Sequence, residues 1–171
     1  VTYLIKYELN GGTVTGNPTS ATKDEVITIK QPTKTVNIIG NANKTEATVG
    51  KNISVTQKFA GWTSTSIDTK NAYYGDKLWS NGSTKVIDTK FKNLSITNGA
   101  TVTLVANWLD VSTTLPTVTK DGYTCKWNTK SDGNGTSYNS GAKYTITGNN
   151  GSSINLYAIC EENTKTDEEI T

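Results

Sequence analysis

Asn98-Gly-Ala-Thr-Val-Thr-Leu-Val-Ala-Asn-Trp108 aligns without a gap on Asn150-Gly-Ser-Ser-Ile-Asn-Leu-Tyr-Ala-Ile-Cys160. Each stretch opens on an Asn-Gly turn and then places an apolar residue at every second position: Val102, Leu104, Ala106 and Trp108 in one, Ile154, Leu156, Ala158 and Cys160 in the other. A period of two is that of a strand with one buried face. Self-similarity within one chain means a module used more than once.

The same period runs outward from these strands. Tyr3, Ile5, Tyr7 and Leu9 alternate with Leu4, Lys6 and Glu8, and Asn10-Gly-Gly12 then supplies a turn. Glu25–Ile29, Thr35–Ile39, Ile53–Val55, Tyr123–Trp127 and Lys143–Thr147 read as further strands. The polar stretch Gly40–Lys51 reads as a hairpin or an exposed insertion, and Leu109–Thr114 as a junction. No segment carries a helical stripe; Ser20–Asp24 comes nearest and is too short. The expected fold is mainly β, with little or no helix. Two modules are expected, over 1–110 and 115–162, followed by a polar acidic tail over 163–171 whose character begins at Glu161. The first carries an insertion over 35–58.

Composition narrows the function. Of 171 residues, 33% are hydrophobic and 19% charged, and the net charge is +2. The cations are all lysine. Arginine, the usual residue for bidentate contacts to phosphates and bases, is absent, which argues against nucleic acid as a partner. There is no apolar run long enough to span a bilayer. Methionine is also absent, so Val1 reads as the start of a processed product or an excised fragment. The two cysteines, Cys125 and Cys160, both lie in the second repeat; an even count suggests a disulfide, and two buried free thiols are the alternative.

Histidine is absent, which removes Ser-His-Asp and Cys-His dyads and most zinc sites. The acidic residues are scattered or gathered in the tail, so no carboxylate pair stands out. Asp132-Gly-Asn134-Gly-Thr136 has oxygen-bearing residues at alternate positions, as part of a calcium loop would; Lys143 stands where that loop needs its distal glutamate, and a tight hairpin is the better reading. The expectation is a non-enzyme with no cofactor and no metal. Tyr73, Tyr74 and Trp79 form the most aromatic segment. They are the candidate ligand-binding residues, as a platform for stacking sugar rings; burial in the core or at the junction between units is the preferred reading, since aromatics chiefly serve burial.

These residues resemble the Listeria–Bacteroides repeat, or internalin-type B repeat, of bacterial surface proteins. That family opens with an alternating strand into Asn-Gly-Gly, passes a proline, reaches Gly-Tyr-x-Phe-x-Gly-Trp and closes on Leu-Tyr-Ala-x-Trp. Tyr3–Gly12, Pro32, Phe59-Ala-Gly-Trp62 and Thr103–Trp108 match it in order. The second unit matches only the later part, through Leu115-Pro116, Gly122–Trp127, Asp132–Thr136, Tyr138 and Leu156–Cys160. It lacks the opening strand, the Asn-Gly-Gly turn and the glycine before the tryptophan. The resemblance implies β-grasp-like modules in tandem, located outside the cell or on its surface and acting as spacer, stalk or adhesin segment without catalytic residues. It also sets Cys125 where the family has Phe and Cys160 where it has the final Trp. If those positions touch, a disulfide replaces an aromatic contact. The alternative function is a glycan- or protein-binding module or fibre subunit. Its partner would be a host or neighbouring surface protein or glycan, met through the aromatic patch, or another copy of the chain, met through the strand edge that a missing opening strand leaves open.

Overall fold

A computed structural model describes residues 1–164. In chain order the strands are β1 (Thr2–Glu8), β2 (Ser20–Thr22), β3 (Val26–Thr28), β4 (Thr35–Asn41), β5 (Thr48–Val49), β6 (Ile53–Thr56), β7 (Phe59–Thr63), β8 (Tyr73–Tyr74) and β9 (Lys77–Leu78). They continue with β10 (Lys90–Lys92), β11 (Thr101–Trp108), β12 (Ser112–Thr114), β13 (Val118–Thr119), β14 (Tyr123–Asn128), β15 (Ser137–Asn139), β16 (Lys143–Thr145) and β17 (Ser153–Glu162). The fold is mainly β, and among the described residues there is no helix.

The chain divides into two units, each with its own core. Unit 1 comprises Val1–Thr35 and Thr56–Asp110; unit 2 comprises Val36–Val55 and the chain from Val111. Residues 36–55 were expected inside the first module, as an insertion, and are instead the opening half of the second. Val36 and Ile38 are fully buried in the core of unit 2. Their alternation needs a partner strand with one apolar face, and β17 provides it through Leu156 and Ala158.

In unit 1 the main sheet runs β2-β1-β11-β7. Strand β1 lies parallel to β11, with Ile5 opposite Val102 and Tyr7 opposite Leu104, and β7 lies antiparallel to β11 with Trp62 opposite Ala106. A second sheet, β3-β10-β8-β9, supplies Ile27, Phe91 and Tyr74 to the same core. In unit 2 the main sheet runs β15-β14-β17-β4-β6. Strand β4 lies parallel to β17 with Ile38 opposite Ile154, and β14 lies antiparallel to β17 with Trp127 opposite Ala158. The two central trios, β1-β11-β7 and β4-β17-β14, thus share strand order and direction, and their registers agree up to a shift at the Trp108 end of β11.

The opening turns match as well. Asn10 has φ 47 and Asn43 has φ 55, in the left-handed region that Asn tolerates better than most residues. Asn10 Nδ2 donates to the Ala106 carbonyl at 2.8 Å, and Asn43 Nδ2 donates to the Ala158 carbonyl at 3.1 Å. Ala106 and Ala158 are equivalent in the repeat. The turn that seemed lost from the second unit is therefore Ala42-Asn43-Lys44-Thr45, with Thr45 N donating to Ala42 O as Gly12 N does to Leu9 O. The edge beside β17 that was expected to be open is filled by β4, with β6 beyond it.

The acidic tail begins later than its composition suggests. Glu161 and Glu162 continue β17 opposite Thr124 and Tyr123. The rest of the expected tail, from residue 165, lies outside the described residues.

Candidate functional site

The aromatic hairpin β8–β9 does not assemble a stacking platform. Tyr73 pairs with Leu78 and Tyr74 with Lys77, around a turn in which Gly75 has φ 58. Trp79 follows the hairpin inward and is 1% exposed. Its ring meets Tyr74 edge-on at 6.3 Å and Phe91 at 6.2 Å. Tyr74 is half-buried and packs on the same core. Tyr73, also half-buried, holds the Lys92 ammonium 5.0 Å from its ring centroid. The structure brings Tyr74 and Trp79 together inside, where Trp79 is a core residue, while Tyr73, the preceding residue of β8, lies on the other face of the strand. An apolar indole beside Phe91 and Leu94 loses more by facing water than its polar neighbours gain by framing it.

The aromatic end of unit 1 and the sulfur end of unit 2 occupy one position in the repeat. Phe59 pairs with Trp108 on β7 and β11, with ring centroids 5.7 Å apart. Cys125 pairs with Cys160 on β14 and β17, and the two are joined by a disulfide with Cα atoms 4.1 Å apart. The glycine missing from unit 2 has its explanation here. In unit 1 the register shifts between Asn107 and Trp108, and Gly61 takes φ 114 beside that bulge. Strand β14 pairs through this region without a shift, so no residue there needs positive φ.

Each unit also carries a groove, mainly polar in unit 2 and more apolar in unit 1, which the sequence reading missed. In unit 2 a groove of about 270 Å³ lies on β14 and β17, beside Thr124, Lys126, Ile159 and Glu161, under the 131–136 loop. In unit 1 a groove of about 320 Å³ lies on β7 and β11, beside Thr63, Val105 and Asn107, under the 80–85 loop. Both loops rest a glycine on the strand end. A Cβ on Gly135 would lie 2.1 Å from Thr129 Oγ1, and one on Gly82 would lie 1.7 Å from the Ser64 carbonyl oxygen. Asn128 holds the unit 2 loop: its Oδ1 accepts from Lys130 N and Gly135 N, and its Nδ2 donates to Gly133 O. The Asp132–Thr136 stretch is thereby a tied turn, with Asp132 Oδ1 accepting from Asn134 N. The glycines and asparagines of these loops were the available signal. What they line can offer hydrogen bonds to a polar ligand.

A lysine caps the opening turn of each unit. Lys34 Nζ donates to the Asn10 carbonyl at 3.1 Å and sits 5.3 Å from the Trp108 ring centroid. Lys120 Nζ donates to the Thr45 carbonyl at 2.7 Å and sits 4.3 Å from the Tyr123 ring centroid. Burial lowers the Lys34 ammonium from its ordinary value, because the charged form loses water.

Two tyrosines of β1 shift the other way. Burial raises the Tyr7 phenol far above its ordinary 10.0, with Tyr3 adding to it, and burial also raises Tyr3 against the Leu94 amide that donates to its oxygen. Burial raises Tyr144 in unit 2. An acid whose folded value lies above its unfolded one keeps its contribution below the unfolded value and loses stability as pH rises beyond it. Lys34 acts in the opposite sense, gaining stability as pH rises from its lowered folded value towards 10.5. Three phenols outweigh one ammonium, so stability is expected to fall steeply above pH 10. Tyrosinate absorbance and circular dichroism followed together through that range check this. Ionisation of all eight tyrosines with the β signal intact would contradict it.

Among the described residues no three His, Cys, Asp or Glu side chains converge to hold a metal ion. No described helix is long and apolar enough to cross a membrane. Comparison with known protein families, with curated proteins and with solved structures finds no match.

Proposed function

We propose that this chain is a non-catalytic extracellular module of a bacterial surface protein, serving as a spacer or adhesin segment. The observation that carries the reading is the twice-built trio of strands. The same strand order and direction recur, and the large aromatic side chains Trp62, Trp79, Phe91 and Trp127 lie inside the two cores. A disulfide suits an oxidising compartment. The resemblance to the internalin-type B repeat points the same way, to small β-grasp-like modules strung along a secreted chain. The polar groove of unit 2 supports a second reading, in which the module also recognises a glycan or a protein.

A glycan array and binding to intact cells test the proposal, with wild type and Trp79→Ala compared. The expected result is no binding by wild type, and a Trp79→Ala protein that is destabilised by about 3–5 kcal/mol as a core cavity requires. Saturable wild-type binding to one glycan class would replace the spacer reading with the second one.

A further inference from the structure

The two units are interleaved along the chain, in the order opening half of unit 1, opening half of unit 2, remainder of unit 1, remainder of unit 2. From this and from strand direction we infer that the chain is a force-bearing tether whose extension is limited when a unit opens. The inference rests on the spacer reading and gives it a mechanical content.

Strand direction decides how tension loads each unit. Unit 1 is entered at Val1, next to the start of β1, which lies beside the start of β11: Leu4 N donates to Ala100 O and Gly99 N donates to Thr2 O. Its three connections to unit 2 leave from the opposite end of β11. Lys34 O accepts from Gln57 N at 2.8 Å, and Lys58 O accepts from Leu109 N at 3.0 Å, so the segments leading to all three connections are stitched together there. These two ends are about 25 Å apart along β11, at the usual rise per strand residue. Because β1 and β11 are parallel, tension pulls them in opposite directions along their length. Every ladder bond from Leu4 to Glu8 is then loaded at once rather than one after another.

Unit 2 repeats this arrangement. Chain enters β4 at Val36, beside the start of β17, where Asn37 N donates to Ser152 O. Chain leaves at Glu162, the far end of β17. The parallel ladder from Ser153 to Tyr157 is sheared in the same way, and the Cys125–Cys160 bond passes load on β17 to β14.

Interleaving then limits what a rupture releases. If unit 1 opens, residues 56–110 remain attached at both ends to unit 2 and stay slack, so only Val1–Thr35 extends. If unit 2 opens, residues 36–55 are held in the same way by unit 1. The disulfide further removes a 35-residue loop from the extending path.

Single-molecule pulling on the whole oxidised chain tests this. With handles at the two chain ends, the first rupture is expected to release no more than about 120 Å of contour, against about 300 Å for all of unit 1. Reduction should lengthen the fully extended chain by about 120 Å. Moving the C-terminal handle to exposed Thr97, just before β11, loads β1 and β11 from the same end, and the rupture force should fall several-fold at equal loading rate. Equal forces in the two geometries, or a first step near 300 Å, would overturn the inference. Low force with a blank glycan array removes the tether and leaves the spacer. High force with saturable glycan binding removes the purely passive spacer and leaves the tether.

Discussion

Trp127→Ala is expected to destabilise unit 2 by about 3–5 kcal/mol, the range for emptying an aromatic site in a packed core. The ring is fully buried beside Leu156, Ala158 and Ile38. It also fixes the path of β4, because a Cβ on Gly40 would lie 2.5 Å from the ring edge. Trp62 holds the equivalent place in unit 1, is equally buried and should cost as much as alanine. The two tryptophans differ when replaced by phenylalanine. Trp127 Nε1 donates to the Pro116 carbonyl at 2.7 Å, whereas Trp62 Nε1 has no hydrogen-bond partner among the described residues. Trp127→Phe leaves that carbonyl with only the 3.4 Å contact from Gly141 N, so it should cost about 1–3 kcal/mol more than Trp62→Phe. Urea denaturation followed by circular dichroism measures the difference. Equal costs would show that the indole hydrogen bond contributes nothing net.

Breaking Cys125–Cys160, by reduction or by the paired change Cys125→Ala with Cys160→Ala, should destabilise unit 2 by about 3–4 kcal/mol on the chain-entropy account. The closed loop spans 35 residues and contains β15, β16 and most of β17. The effect should be confined to unit 2. Unit 1 holds the same position with Phe59 against Trp108, and Trp108 Nε1 donates to the Leu9 carbonyl at 3.0 Å. Thermal unfolding with and without reductant checks this. A fall in midpoint for the transition reporting unit 2, with the unit 1 transition unchanged, is the expected outcome. No fall at all would mean that the Tyr138–Tyr144 pair and the Trp127 core suffice without the covalent tie.

The strands were legible because alternation is local. Tyr3 and Ile5, Val102, Leu104 and Ala106, and Leu156 and Ala158 all face a core as their period indicates. The sulfur pair was expected through the family resemblance, which set Cys125 and Cys160 at the aromatic positions, with two free thiols as the alternative; the structure bonds them. For Trp79 burial was the preferred reading, since aromatics chiefly serve burial, but the partners that bury it were not legible in the local sequence. The inward turn is decided by Phe91 and Leu94, which lie far along the chain. The grooves were hidden for the same reason, because each is bounded by a loop and by strands from separate segments.

From residue pattern alone came the β character and the repeat, because each depends on spacing within a short window; the sulfur pair, 35 residues apart, came from the family resemblance and is bonded in the fold. Which opening strand serves which closing strand came only from three dimensions. Tyr3–Leu9 and Val36–Ile38 present similar apolar faces, and parallel partners lie dozens of residues away, so nothing local distinguishes the two pairings. Side-chain fit does: Ile38 meets Ile154, Gly40 clears the Trp127 ring, and Asn43 reaches the Ala158 carbonyl.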